Sequence, residues 1–529
     1  MTPPTTLPTW EPIPHEDIPV LATVMQYVEH YATQTPDTVA VADWGGAGIT
    51  YGQLPSVVRS LQKGLLEAGV AAGDVVATLA PPSVDHWLTF LAAVDLGAVW
   101  LGLNPRYRLQ EWRDILAVAQ PKVLYARDTV GQRDYTGDLR HLVQEFGVTR
   151  LPLAIGPASG SATEPEGVVV GGSSAPEAPG LLVFTSGSTG KPKGVLLRQS
   201  GLVACGRTQA HHYGGWGGTT LNSLPINHVG CIVDIAMTAL VTGATQVFLE
   251  DFAPAGFIDA LIQTKSSLLG GVPAMLLYLM EDPAFWEADL SHVRRILWSG
   301  GHMPRAGAEL LASLGKPMHN FYGMTETTGS FLFTRPDADL DHLVDTVGLP
   351  DPAWEVRIAD PASGAEVPAG TVGEIQVRGP GVLHSYLGDP EGTRNAFTDD
   401  GYFKTTDLGV RNADGSISLA GRLKDVFKSG GYNVFPRQVE EALETLPGVV
   451  MASVVAVPDS TLGEVGVAFL TLLPGTDLNE EDVRNSLKTV LASYKVPKRF
   501  VRLDEPPVLP NGKVDRRTLA SMAAGRQTP

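Results

Sequence analysis

From Tyr51 to Ala68 apolar residues recur at helical spacing, through Leu54, Val57, Val58, Leu61 and Leu65. A few residues later that period gives way to the unbroken run Val75-Val76-Ala77-Thr78-Leu79. The first pattern buries one face of a helix, and the second suits a short strand covered on both sides. The same alternation extends from about Leu21 to Arg150 and resumes from Gly201 to about Phe333, which predicts an α/β layer fold. Between these stretches, residues 156–180 are rich in Gly, Ser, Ala, Pro and Glu and read as a surface connection. From Val347 to Leu419 the character changes to short strands, such as 355–358 and 373–378, punctuated by Gly, Pro and Asp. That pattern predicts a small β-barrel over about 336–421. After Arg422 the chain is mixed again, with a helix from Pro436 to Leu446, a strand from Val449 to Val457, a helix from Asn479 to Leu491 and a basic loop at Lys495. No internal repeat is found. The expected fold class is α/β. Layered α/β subdomains and the small barrel make a large N-terminal domain over 1–421, and 422–529 is long enough for a small α+β domain of its own.

Composition narrows the function. At 529 residues with 43% apolar positions, the chain can bury more than one core. Its 57 acidic against 39 basic residues, a net charge of -18, exclude a nucleic-acid surface and a polybasic membrane patch. An anionic ligand must then meet a local concentration of positive charge. Cys205 and Cys231 are the only cysteines, too few for a disulfide scaffold or a structural zinc site. Met1 to Pro19 has no basic and apolar leader pattern, and no run of 18 apolar residues occurs. A soluble cytoplasmic protein without a membrane partner is expected.

The positive site is found at Thr185-Ser186-Gly187-Ser188-Thr189-Gly190-Lys191-Pro192-Lys193-Gly194, directly after the apolar run Leu181 to Phe184. Glycines let backbone N–H groups approach phosphate oxygens, the hydroxyls add donors, and Lys191 and Lys193 add charge. The Walker A motif needs Gly where Thr185 stands and Ser or Thr where Pro192 stands, so this is a different phosphate loop.

Further motifs follow in a fixed order: Leu224-Pro225-Ile226-Asn227-His228-Val229-Gly230, Tyr322-Gly323-Met324-Thr325-Glu326, Gly401 to Asp407, Gly421-Arg422-Leu423-Lys424-Asp425, and Leu509-Pro510-Asn511-Gly512-Lys513. Along nearly the whole chain this resembles the adenylate-forming superfamily of acyl-CoA synthetases, peptide-synthetase adenylation domains and beetle luciferases. The resemblance implies that ATP lies against the loop from Thr185 to Lys193 and that a substrate carboxylate attacks its α-phosphorus. It implies that Thr325 bonds the α-phosphate, Glu326 orders Mg2+, Asp407 and Arg422 hold the ribose beside Tyr322, and Lys513 bridges carboxylate and α-phosphate as the catalytic ammonium. It further implies a mobile C-terminal domain that rotates about Lys424, bringing Gly430 and Gly431 to line a tunnel for the pantetheine arm of CoA or of a carrier protein. Thr406 departs from the pattern, standing where relatives usually carry Gly.

For the acyl site the resemblance points to His228 at its mouth and to Val233, Gly300, Gly301, Gly323 and Met324 around it. Asp234 is unusual, an acid inside the apolar stretch Cys231 to Met237 that must find a partner or be neutralised. It holds a ring hydroxyl or amine of the substrate, or else it makes a structural pair in the core. His302 stands where many relatives have Ala and is expected to narrow or polarise the same pocket. Together these favour an acid:CoA ligase for a compact, polar aromatic carboxylic acid. Loading of a separate carrier protein, a diazotase that adenylates nitrite for transfer to an aryl amine, and a luciferase-like oxidase are the alternatives. No Gly-x-Ser-x-Gly elbow supports an α/β-hydrolase.

Overall fold

The computed structural model describes residues 7–153, 175–186, 192–213, 218–473, 475–476, 478–508 and 514–525. The expected helix near Tyr51 spans Leu54–Glu67 and buries Leu54, Val58 and Leu65. Pro55 sits in its first turn, where a missing N–H costs nothing. Gly69, at φ +77°, turns the chain out of the helix and towards the strand Val75–Leu79, all of whose residues are buried.

That strand is central to a seven-stranded sheet with the order Ser385–Tyr386, Pro192–Arg198, Pro179–Ser186, Val99–Leu103, Val75–Leu79, Val123–Ala126 and Thr149–Pro152. The five strands from Pro179–Ser186 onward in that order run parallel, and Pro192–Arg198 turns back antiparallel. The helix Val84–Asp95 has no polar face because it is covered on all sides. A second, five-stranded sheet contains Met318–Met324 and Gly329–Phe333, and a four-stranded one contains Val39–Asp43.

The segment read as a small barrel contributes a four-stranded antiparallel sheet, Glu355–Ala359, Val372–Arg378, Phe403–Arg411 and Ile417–Arg422. Backbone bonds from Val347 N to Ile417 O and from Ile417 N to Gly348 O, 2.8 and 2.9 Å, tie its last strand to the preceding chain. Not all of 336–421 belongs to that sheet. Leu349–Pro350 pairs with Gly329–Phe333, and Ser385–Tyr386 pairs with Pro192–Arg198.

From Phe427 onward a five-stranded sheet is covered by the helices Pro436–Glu444, Glu480–Val490 and Arg516–Ala523. Val439, Leu443, Val454 and Leu487 pack together there, and a second cluster joins Val467, Phe469 and Leu519. Cys205 and Cys231 are buried free thiols. No helix among the described residues is long and apolar enough to cross a membrane.

Candidate active site

Two sheets meet at Asp407. Ladder pairing in the antiparallel sheet sets Asp407 opposite Arg422, with Nε of Arg422 3.0 Å from Oδ1. From the neighbouring five-stranded sheet, the Tyr322 hydroxyl donates to Oδ2 at 2.6 Å. Burial, and then the Asp407 charge, push the Tyr322 phenol well above its ordinary pKa, so it stays a donor. The same charge raises Arg422. An ionised carboxylate has about four acceptor sites, so both oxygens can take further donors besides these two.

Tyr322 leads directly into a constrained turn. A Cβ on Gly323 would lie 2.0 Å from the Gly329 carbonyl oxygen, so only glycine lets these strands approach. The turn Thr325–Thr327 follows, with Thr325 and Glu326 buried and Thr328 at φ +60°. Burial raises the Glu326 carboxyl pKa, and Oε1 accepts from the Tyr386 hydroxyl at 3.2 Å. The Tyr386 ring in turn lies 3.6 Å beneath Nζ of Lys193. Sequence reasoning missed Tyr386, because its segment was read as part of the barrel. Its one signal was a Tyr next to the turn at Gly388, which is weak by itself.

The candidate phosphate loop is flanked by a tight ladder in which Ser186 pairs with Pro192 and Thr185 with Lys193. Gly187, Ser188, Thr189, Gly190 and Lys191 lie outside the described residues, as does Lys513 with 509–512. Val508 and Val514 on either side of that last segment pair with each other. The site fits Mg2+, which keeps several waters and takes one or two carboxylates plus phosphates. Glu326 offers one hard oxygen donor group, and no cluster of three His, Cys, Asp or Glu side chains among the described residues competes as an all-protein cage.

Thr406 adopts φ +61°, which explains why glycine is usual there. Its N–H is held by Oε1 of Glu374 at 3.1 Å, so the backbone is fixed whatever the side chain, which is itself exposed. A β-branched residue in the left-handed region costs about 1–2 kcal/mol, partly offset by the entropy glycine loses on folding. Thr406→Gly is therefore expected to raise the denaturant midpoint by the equivalent of about 1 kcal/mol with ATP affinity preserved. A lower midpoint would show that the threonine side chain contributes something the fold does not reveal.

The acyl-site candidates fall into two groups. Gly230 separates His228 from Asp234: a Cβ there would lie 3.2 Å from Nδ1 of His228 and 3.8 Å from Oδ2 of Asp234. On the other side, a Cβ on Gly329 would come within 2.8 Å of Oδ1 of Asp234. His228, Asp234, Gly329 and Gly323 are thus contiguous, with Met324 partly buried beside them and Val233 buried in the core. Asp234 lies in a π-helical stretch, Gly230–Met237, a wound form that recurs at functional sites. Its Oδ1 accepts from Nε2 of Gln209 at 2.5 Å, and Oε1 of Gln209 accepts from the Thr238 hydroxyl at 3.0 Å. Burial pushes the carboxyl of Asp234 up to about 7. Gln209 was a second omission, since a glutamine in a helix carries no signal of its distant partner.

The consecutive residues Gly300, Gly301 and His302 make up the second group. Nε2 of His302 is 3.4 Å from Oε2 of Glu444, on the C-terminal helix Pro436–Glu444, where Arg437 also reaches Glu444 at 3.1 Å. This contact joins the two parts of the chain. Gly300, at φ +80°, and Gly301 are exposed beside it. Lys424 is exposed in the short turn Leu423–Asp425 between the two parts, and Gly430 and Gly431 form the exposed turn of the hairpin Phe427–Ser429 and Tyr432–Val434.

Comparison with known proteins shows the family. The AMP-binding enzyme family matches residues 28–387, and the AMP-binding enzyme C-terminal domain matches 438–513. The chain is 33% identical over 486 residues to a feruloyl-CoA synthase of an Amycolatopsis species, covering 91% of this chain and 95% of that one. It is 32% identical over 508 residues to an indoleacetate–CoA ligase of Aromatoleum aromaticum, covering 94% and 98%. ATP-bound MatB from Rhodopseudomonas palustris superposes with a TM-score of 0.85 at 27% identity, over 94% of this chain and 99% of that one. The amide bond synthetase McbA from Marinactinospora thermotolerans superposes with 0.84 at 30% identity, over 94% and 99%. The chain belongs to the AMP-binding enzyme family: it is an adenylate-forming enzyme of the acid:CoA ligase type.

Proposed function

We propose that this enzyme adenylates a compact, polar aromatic carboxylic acid with ATP and passes the acyl group to CoA. In the first step a carboxylate oxygen bonds to the α-phosphorus as the bond to pyrophosphate breaks. In the second the CoA sulfur attacks the acyl carbon and AMP departs. Charge must be neutralised on both sides of the α-phosphorus, and the preorganised donors do this at no reorganisation cost. The loop from Thr185 to Lys193 takes the β- and γ-phosphates, Thr325 the α-phosphate, and Asp407 with Arg422 the ribose hydroxyls. Glu326 would hold Mg2+, which supplies charge neutralisation on the phosphates when bound. Lys513 is the ammonium bridging the two reacting groups, and His228 stands at the acyl end. Lys424 is the pivot for the C-terminal domain, and Gly430 and Gly431 receive the pantetheine arm after rotation.

The observation that carries the substrate class is Asp234. No cation partner is seen among the described contacts: the Gln209 amide donates to Oδ1 and the Ser330 backbone donates to the carboxyl, while Oδ2 lies on the Gly230 and His228 side. A ring hydroxyl or amine would complete it. The aromatic acids named for the two relatives support the same class. Pyrophosphate release from ATP and Mg2+ with a panel of aromatic acids, followed with CoA, with a carrier protein, or with nitrite and an aryl amine, tests both halves of the proposal. Asp234→Ala is expected to raise KM for the substituted acid by about 10- to 100-fold, the worth of a charge-assisted hydrogen bond, and to spare the unsubstituted analogue. An equal loss for every acid would remove the polar-aromatic reading.

A pH dependence follows from the same residue. The folded pKa of Asp234 is about 7, raised from 3.8. Between those values the unfolded chain releases a proton that the folded one keeps, so stability falls as pH rises and levels off above about 7. Asp234→Asn removes this loss and is expected to raise the melting temperature at pH 8 relative to the parent, with the advantage shrinking towards pH 5. A pH-independent difference in the melting curves would contradict it.

A further inference from the structure

Three features of the chain segment 383–387 converge on the nucleotide site. Its backbone is bonded to the strand leaving the phosphate loop, with His384 N to Leu196 O and Leu387 N to Gly194 O both at 2.8 Å. It is bonded equally to the acidic turn, with Leu383 N to Glu326 O at 2.8 Å. Between these ties Tyr386 is buried, its ring under Lys193 and its hydroxyl on Glu326. Lys193 is also 3.8 Å from Asp389, so its ammonium is drawn to the outer side of the same ring. The segment is therefore a bracket that spans from a candidate phosphate-binding cation to a candidate metal carboxylate, and the Tyr386 side chain touches both.

We propose that Tyr386 is a positioning residue that aligns Glu326 for the metal ion and Lys193 for the phosphates as one unit. The inference rests on the nucleotide reading of the site given above. A carboxylate that ligates a metal is oriented by the donor on its other oxygen, and Tyr386 supplies that donor to Oε1. A lysine held over an aromatic face keeps its charge while losing much of its rotamer freedom. The hydroxyl and the ring thus act on different partners, and they can be separated by substitution.

Binding of a non-cleavable ATP analogue, measured calorimetrically with and without Mg2+, reads the two effects without turnover. Tyr386→Phe keeps the ring and removes the hydroxyl. The Mg2+ concentration for half-maximal enhancement of nucleotide binding is expected to rise about 10-fold, at the lower end of losses caused by removing an orienting partner of a metal ligand. Its metal-free nucleotide affinity is expected to match the parent's. Tyr386→Leu removes ring and hydroxyl, and is expected to weaken metal-free binding as well, by about 3-fold, the scale of one exposed cation–π contact. An unchanged Mg2+ dependence in Tyr386→Phe overturns the inference alone. A parent protein that shows no Mg2+-dependent nucleotide binding overturns the nucleotide reading and the inference with it. Equal weakening of both variants with and without Mg2+, accompanied by a lower melting temperature, identifies Tyr386 as merely structural and also overturns it.

Discussion

Asp407→Ala is expected to raise KM for ATP by about 10²-fold or more and to lower stability at the same time. Two donors from a ligand and two from the protein converge on this carboxylate in the proposed complex. Each ligand hydroxyl on a charged acceptor contributes about 1.5–3 kcal/mol, which sets the size of the affinity loss. Within the protein, truncation strands the Tyr322 hydroxyl in a buried position, at a cost of about 1–3 kcal/mol. The lost pair with Arg422 adds little, because the guanidinium side chain is 47% exposed and its charge is screened. Asp407→Asn separates the two effects. Its amide oxygen still accepts from Tyr322, so the melting temperature is expected to recover most of the way, while the uncharged group holds the ribose poorly and KM stays high. Steady-state kinetics with ATP varied, alongside melting curves of both variants, provide the check. An ATP KM near that of the parent in Asp407→Ala would reject the ribose assignment.

Lys513→Ala should abolish adenylate formation, by about 10²-fold or more, the scale of one preorganised electrostatic contact in a transition state. In the proposed role the ammonium follows charge moving from the carboxylate to the departing pyrophosphate, and a flexible point charge suits that task. Its absence concerns the first step only. Thioester formation from a supplied acyl-adenylate and CoA is expected to continue at close to the parent rate, because the second step is proposed to use the rotated C-terminal domain. Comparable losses in the two half-reactions, measured separately by quenched-flow or by coupled assays of pyrophosphate and AMP, would reject the role.

Much of the fold was legible because the local patterns and the tertiary environment agree. The helix at Leu54–Glu67 and the strand Val75–Leu79 lie where their periodicity predicted, since one buries a single face and the other both. The short strands Glu355–Ala359 and Val372–Arg378 were equally readable. What misled was the assumption that neighbours in sequence share a sheet. Ser385–Tyr386 leaves the antiparallel sheet for the seven-stranded one, and two residues carry no period by which this could be seen. In the candidate site, Tyr322, Asp407 and Arg422 sit in motifs whose order singled them out, and the structure brings them into contact. Gln209 and Tyr386 act through partners 25 and 60 residues away, a relation that spacing does not encode. His302 has a distant partner of the same kind, Glu444, which its motif did not announce.

The ladder that closes the phosphate loop has a consequence in polymer terms. Ser186 and Pro192 are cross-strand partners, so the ends of the five intervening residues are held about 5 Å apart, whatever path those residues follow. Closing a loop between fixed ends costs entropy that grows only with the logarithm of its length, and here most of that cost is already met by the sheet on folding. The proposed triphosphate site thus begins and ends at positions the sheet has already fixed. On the proposed reading, one nucleotide replaces another in each cycle between two ends that the sheet ladder, and not the ligand, holds together.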